Sequence, residues 1–273
     1  MNVAAPPQDQ RAFAALLDQS ARTTTRRALL SGLVLAVCAC ALGFTGAFDL
    51  PRLAEGLPAI GQLLSEMVPP DFSRWRSWWR PLADTLAMSI AGTALAVAIS
   101  LPLALLAAPN TAPGPITRHA VRLLMSALRS VPEIILGILF VAAVGFGALP
   151  GVLALALHSV GMVGKFYAEA IEHVDARPIE AAAAAGARRL QIILHAVLPQ
   201  VLPQLADITI YRWEYHFRAS AVLGIVGAGG IGFELMAALR LIAYDQVAAI
   251  LLTILACVVV VDSIGAALRR KLR

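Results

Sequence analysis

Apolar residues run in long blocks through most of this chain, separated by short stretches rich in arginine, proline and glycine. An α-helix rises about 1.5 Å per residue, so roughly 20 apolar residues cross a hydrocarbon layer of about 30 Å. Six segments meet that length. The first, residues 28–48, holds neither charge nor proline, and the second, from about 82 to 108, meets charge only at Asp84. The block 131–167 is too long for one crossing, and Gly145, Gly147, Pro150 and Gly151 supply a turn at its middle. It reads as a helical hairpin of third and fourth spans, the third able to begin before Pro132. The fifth runs from near Val197 to about Phe217, and the sixth from Gln246 to about Leu268.

Composition agrees with that pattern. Of the 273 residues, 59% are hydrophobic and 14% charged, and the mean hydropathy is +0.76. A soluble domain carries about a quarter charged residues, and so few charges cannot cover the surface that a core of this size leaves exposed. The solvent is therefore lipid, and the fold class is an all-α integral membrane bundle of six transmembrane helices. Cys38, Cys40 and Cys257 all sit within apolar runs, with no spacing for a disulfide framework or a metal knuckle.

The formal charge of +5 does not gather into the single stripe that a nucleic-acid surface needs. Instead the basic residues punctuate the apolar blocks. With an inside N-terminus, 15 of the 22 lie in inside segments, including Arg22, Arg26 and Arg27 before the first span and Arg269, Arg270, Lys271 and Arg273 after the last. Both termini are thus expected in the cytoplasm, because cytoplasmic loops retain Arg and Lys. Arg22, Arg26 and Arg27 precede the 21 uncharged residues of the first span, which has no small-residue cleavage site followed by a soluble domain, so it reads as retained rather than as a signal peptide. The outer segment 49–81 balances four arginines with four acids. Its Trp75, Trp78 and Trp79 fit either an interfacial helix leading into the second span or a solvated elbow. The layout is a cytoplasmic segment 1–27, a first span with its outer segment 28–81, and a core 82–273 with a cytoplasmic loop at about 173–199.

That loop is the most informative stretch. Asp175 can cap a helix, Pro178 and Glu180 suit its first turn, five alanines favour it, and Gly186 can end it. Beyond, Leu190, Ile193, Leu194, Val197 and Leu198 repeat at i, i+3, i+4, i+7, i+8, an apolar face with Arg188, Arg189, Gln191 and His195 mostly elsewhere. By periodicity alone this is a surface helix packed on the bundle or a docking element for a partner.

Glu180, Ala181, Ala182, Gly186, Leu198 and Pro199 follow the spacing E-A-A-x3-G-x9-I-x-L-P, with Ala196 at the isoleucine place. This resembles the EAA loop of the membrane subunits of bacterial ABC importers. The strings RSVPE at 129–133, ALHSVGMVGKFYAEAIE at 156–172 and YRWEYHFRASAVLGIVGAGGIG at 211–232 look like the phosphonate-transporter permease branch, over roughly residues 80–273. The resemblance implies a permease that works as a pair, two cytoplasmic ABC ATPases that bind ATP and Mg, and an extracytoplasmic binding protein. It also implies that the EAA helix couples ATPase closure to the spans.

No P-loop spacing occurs, so ATP hydrolysis belongs to another chain. Gly227, Gly229 and Gly232 fit G-x-G-x-x-G but lack a surrounding βαβ unit. With Gly224 and Gly230 they read as irregular, closely packed backbone at an outer gate. Arg212, Glu214, His216 and Arg218 place charge within or just beyond the fifth span. Such residues face the bundle interior, a cavity or each other. Glu214 and Arg218, spaced i, i+4, can pair, as can Arg129 with Glu133 and Lys165 with Glu169. Arg212, Glu214, Arg218 and the glycines are thus either structural or part of an anion path. His158 reads as a hydrogen-bonded packing residue, and no metal or catalytic set is recognisable. The resulting expectation is an importer permease for phosphonate or a related phosphorus oxyanion such as phosphite or phosphate, with no cofactor of its own. The alternatives are a permease for another small solute such as an amino acid, or a membrane-embedded enzyme using Glu214 and His216, which has no reason to contain the EAA spacing.

Overall fold

A computed structural model describes residues 8–272, all helix and turn with no strand among them. The first seven residues of the expected N-terminal segment and Arg273 of the basic tail lie outside the described residues. The chain divides into two units, Met1–Leu64 and Ser65–Arg273.

The first unit holds α1 (Gln8–Phe44) and most of α2 (Leu50–Glu66). The apolar part of α1, Thr23–Phe44, is long enough to cross a membrane. Helix α1 stops four residues short of the expected end of the first span, in a turn around Gly46, whose φ is +73°. The α2 helix was not expected. Its signal is the spacing of Leu50, Leu53, Leu57, Ile60 and Leu64, obscured by Pro51 and Pro58.

In the second unit a single 3₁₀ turn, Trp75–Trp78, leads into α3 (Trp79–Ala107). The helix expected to lead into the second span is thus a single turn that runs directly into α3, with Trp79 already the first residue of α3. Trp78 is 2% exposed among Ile231, Ala249 and Ile250, while Trp75 and Trp79 remain outside. Helices α4 (Pro115–Ser130) and α5 (Glu133–Val144) follow, bent by 83°. Pro132 lacks an N–H and forces Val131 into an extended conformation, ψ 120°, which ends the helix there. The Val131 carbonyl freed at the break lies 3.0 Å from His158 Nδ1, the hydrogen-bonded packing role expected of that histidine. Gly145 and Gly147, with φ of +89° and +133°, turn the chain into α6 (Ala148–Glu172).

Next come α7 (Ala176–Ala184) and the short α8 (Arg189–Ile192). A five-residue π turn, Ile193–Val197, then joins α8 to α9 (Leu198–Leu223). The fifth span is therefore not separate from the amphipathic helix before it: residues 189–228 form one helical run. A second wide turn, Gly224–Ala228, leads to α10 (Ile231–Arg240), also unexpected, and α11 (Tyr244–Leu272) closes the chain.

Five helical stretches, α1 included, are long and apolar enough to cross alone, and the bent pair α4–α5 makes a sixth. At 12 residues α5 is too short to span by itself. The neighbours of α6 show that the bent pair is a crossing. Near the start of α6, Gly151 faces Met88 of α3, at its middle Ser100 Oγ donates to the Val160 carbonyl, and near its end Asn110 Nδ2, just past α3, donates to the Ile171 carbonyl. Helices α3 and α6 are thus parallel, so the segment joining them must cross the full thickness.

Lipid tails are as apolar as leucine, so these helices are held by close packing and interhelical hydrogen bonds rather than by hydrophobic burial. Small residues meet accordingly. A Cβ on Gly92 would lie 3.0 Å from Leu155 Cβ, one on Gly164 2.6 Å from Met125 Sδ, and one on Gly161 would overlap the Met125 carbonyl oxygen. Outward, Leu86 and Ile90 of α3 and Leu252, Leu255 and Val259 of α11 are exposed, as a lipid-facing surface requires.

Candidate functional site

The α7 loop is built locally. Asp175 Oδ1 accepts from the Arg177 backbone N–H at 3.0 Å and caps α7 as expected. Bonds from the Arg177 guanidinium, and then from the Arg177 backbone N–H, hold the Asp175 carboxyl below the usual carboxylate range, and the carboxylate in turn raises Arg177. At the other end Gly186 N–H donates to Ala183 O and Ala187 N–H to Ala182 O, with Gly186 at φ +80°, a Schellman ending that only glycine adopts without strain. Glu180, Ala181 and Gly186 are exposed, and Ala182 is half-buried.

The loop is also tied to the bundle. Gln200 Oε1 of α9 accepts from the Asp175 N–H at 3.0 Å, and Arg189 donates to the carbonyls of Thr111 and Ala112 in the connection between α3 and α4. Leu198–Pro199 closes the π turn. Pro199 cannot donate back along the helix, and the turn widens just before it. The extra residue in that turn shifts the buried face. Leu190, expected inward, is 66% exposed, whereas Ala196 and Val197 are buried, with Ile193 and Leu198 half-buried. Ala196, the departure from the motif, is a small residue in a packed place.

Mid-bundle, α9 carries a polar network. Arg212 is 3% exposed, and its Nε donates to Ser159 Oγ at 2.8 Å. Its guanidinium lies 4.1 Å above the Tyr215 ring, and its Nη2 is buried with no hydrogen-bond partner among the described residues. His216 sits between Ser159 Oγ, 2.5 Å from Nε2, and Thr93 Oγ1, 2.7 Å from Nδ1. These bonds join α3, α6 and α9. Tyr215 OH donates to Glu133 Oε1 at 2.9 Å, tying α9 to the bend before α5.

The expected Glu214–Arg218 pair does not form. Glu214 meets Arg269 Nη1 at 2.8 Å and Arg218 Nη1 meets Asp262 at 2.9 Å, both partners on α11. Gly265 permits this approach, since a Cβ there would overlap the Glu214 carboxylate. Arg129 and Glu133 do not pair either, because the extended residues Val131 and Pro132 remove the i, i+4 geometry. Lys165 and Glu169 do, at 3.4 Å. Asp262, inside the sixth apolar span, was the missed signal: a carboxylate there demands a partner.

The glycine segment folds back on itself. Gly227, Gly229 and Gly230 have φ of +99°, +76° and +71°. Gly224 and Gly232 touch so closely that a Cβ on Gly232 would overlap the Ala221 carbonyl. Ile231 N–H donates to Thr85 Oγ1 at 2.8 Å, and Gly147 N–H donates to Gly227 O at 3.3 Å, so α10 is anchored to α3 and to the α5–α6 turn. This is the irregular packed backbone expected of Gly224, Gly227, Gly229, Gly230 and Gly232. No group of three or more His, Cys, Asp or Glu residues that could hold a metal ion occurs among the described residues.

Residues 100–273 match the profile of the family described as binding-protein-dependent transport system inner membrane component. A phosphite transport system permease protein, PtxC of Stutzerimonas stutzeri, is 64% identical over 89% of this chain and 87% of its own length. The phosphate-import permease protein PhnE of Mycolicibacterium smegmatis is 43% identical over 80% of this chain and 41% of its own length. Among solved structures, the inward-facing MetNI methionine ABC transporter matches with a TM-score of 0.65 at 23% identity, over 74% of this chain and 99% of the matched chain.

Proposed function

Since the chain belongs to the family of inner membrane components of binding-protein-dependent transport systems, we propose that it is the permease of an importer for phosphite or a related phosphorus oxyanion. The observation that carries the substrate class is the 64% identity with a phosphite permease across nearly the whole chain. The permease core is assigned to residues 82–273 and the first span and outer segment to 28–81. Both termini and the loop at 173–199 face the cytoplasm, where two copies of this chain engage two ABC ATPases that carry ATP and Mg. An extracytoplasmic binding protein delivers the solute.

The geometry supports a coupling role for Glu180, Ala181, Ala182, Gly186, Leu198 and Pro199. An exposed carboxylate on a short, capped helix can meet a basic group of the ATPase. Because α7 is tied to α9 by Gln200, and α8 runs into α9 through the π turn, displacement of the loop moves α9 as a rigid element. Arg212, Glu214 and Arg218, with Gly227, Gly229, Gly230 and Gly232, are assigned to the path and its outer gate. Among the charged three, attraction of the anion falls to Arg212, because Asp262 neutralises Arg218 and Arg269 neutralises Glu214.

The test is ATP-driven uptake by the reconstituted complex of this chain, its ATPase and its binding protein. Phosphite, phosphate or a phosphonate accumulates and methionine does not. Uptake of methionine, with no phosphorus oxyanion entering, would overturn the substrate assignment.

A further inference from the structure

At the α7 end of the bundle, α4 and α6 enclose a cavity of about 440 Å³ counted with its open mouth. Arg122, Ser126 and Arg129 of α4 line it at i, i+4 and i+7, one face of that helix, opposite Lys165 and Glu169 of α6. Gly161 forms part of the floor and lets the two helices approach. Three cations therefore converge where the lining supplies one carboxylate. Lys165 is paired with Glu169, and Arg122 with Glu172 just outside the cavity. Arg129 has no carboxylate partner, and the Ser126 hydroxyl no hydrogen bond, among the described residues. None of these groups belongs to the Arg212 network or the α7 loop.

We propose that this cavity seats a tetrahedral phosphorus oxyanion, either free inorganic phosphate or the phosphate of an anionic lipid headgroup. The chemistry fits from each side. The Arg129 guanidinium offers a planar fork for two oxygens, Ser126 a hydroxyl donor, and Lys165 a compact charge opposite. With Lys165 and Arg122 each paired to a carboxylate, the cluster keeps one uncompensated positive charge at Arg129, which a bound anion offsets. The seat lies on the helix that precedes the Pro132 bend, so an anion held there fastens α4 to α6. The inference does not depend on which solute the permease carries.

The complex of this chain with its ATPase, in phosphatidylcholine nanodiscs, is titrated with radiolabelled inorganic phosphate. In parallel, nanodiscs containing phosphatidylglycerol are analysed by native mass spectrometry for retained lipid. Arg129→Gln and Ser126→Ala are compared with wild type and with Arg240→Gln on α10. Saturable phosphate binding weakened roughly tenfold or more by Arg129→Gln, and less by Ser126→Ala, establishes a free-anion seat. Phosphatidylglycerol retained by wild type and released by Arg129→Gln, without phosphate binding, establishes a headgroup seat. Should Arg129→Gln fail to assemble, Ser126→Ala carries the comparison, since it keeps every charge. Equal phosphate binding and equal lipid retention in wild type and the assembling variants overturn the proposal.

Discussion

At the scale of single residues, a charge in the membrane is defined by what it meets. Arg212 and Arg218 look alike in sequence, yet one is enclosed by Ser159, Tyr215 and Met162 and the other is half-exposed against Asp262. Removing the Arg212 guanidinium takes one hydrogen bond from the buried Ser159 hydroxyl and the cation from the face of the Tyr215 ring, at a cost of about 1–3 kcal/mol. An exposed pair such as Arg218–Asp262 contributes about 0–1 kcal/mol. Arg212→Gln should therefore lower the yield of folded complex, read by size exclusion, and raise the half-saturation for uptake in what remains. Arg218→Gln should change either by less than about twofold. The reverse pattern would hand the path to Arg218. Asp175 gives a pH-dependent counterpart outside the membrane. Its carboxyl is depressed by the Arg177 bonds, so its stabilisation of α7 is present above the unfolded carboxylate range, about pH 4, and is lost as pH falls through the lower folded value. Amide exchange in α7 should accelerate in that acid window in wild type, and Asp175→Ala should be fast already at neutral pH. These charges were legible in the sequence, but their partners were not, because Ser159 and Asp262 stand 53 and 44 residues away.

At the scale of elements, composition located the helices and backbone chemistry bent them. Hydropathy alone marks an apolar block that starts at Val131, whereas Pro132 sits at an 83° bend joining α5 to the amphipathic α4 before it. Likewise the i, i+3, i+4 pattern of Leu190 to Leu198 assumes an unbroken α-helix. The π turn before Pro199 inserts one residue, which is why Leu190 and Leu194 face outward and Ala196 inward. The prolines were readable as breakers, but the direction each break turns the chain depends on what packs opposite. Two glycines make the distinction testable. A Cβ on Gly161 would overlap the Met125 backbone carbonyl, whereas at Gly186 nothing lies within 4 Å and the only penalty is its φ of +80°. Gly161→Leu should abolish assembly of the complex, because backbone cannot yield as a flexible side chain does. Gly186→Ala should leave assembly intact at a local cost of about 1–2 kcal/mol. It should nevertheless reduce transport and ATPase stimulation together, because it distorts the junction between α7 and α8. Full transport in Gly186→Ala would detach the loop from coupling.

At the scale of the whole molecule, the number of crossings follows from which helices are parallel. Helices α3 and α6 run the same way, as Met88 beside Gly151 at one end and Asn110 on the Ile171 carbonyl at the other require. The bent pair between them must then cross once. Helix α9 runs opposite to α6, since Thr209 meets Tyr167 near the α6 C-terminus and Arg212 meets Ser159 further back toward its start. Helix α11 runs opposite to α9, since Glu214 meets Arg269 and the later Arg218 meets the earlier Asp262. Five crossings result in residues 65–273, and the apolar run of α1 supplies a sixth. The two antiparallel runs after α7 bring Arg269, Arg270 and Lys271 back to the same end of the bundle as that loop. In the proposed orientation, with most arginine and lysine inside, that end faces the cytoplasm and so does the N-terminus. Single cysteines in a background with Cys38, Cys40 and Cys257 changed to serine test this topology. In right-side-out vesicles, Leu149→Cys at the start of α6 should react with an impermeant maleimide, and Ala185→Cys and Lys271→Cys should react only after the membrane is opened. Labelling of Ala185→Cys and Lys271→Cys from opposite faces would mean that α9 and α11 do not both cross. Labelling of both from outside would reverse the orientation and leave the helix count standing.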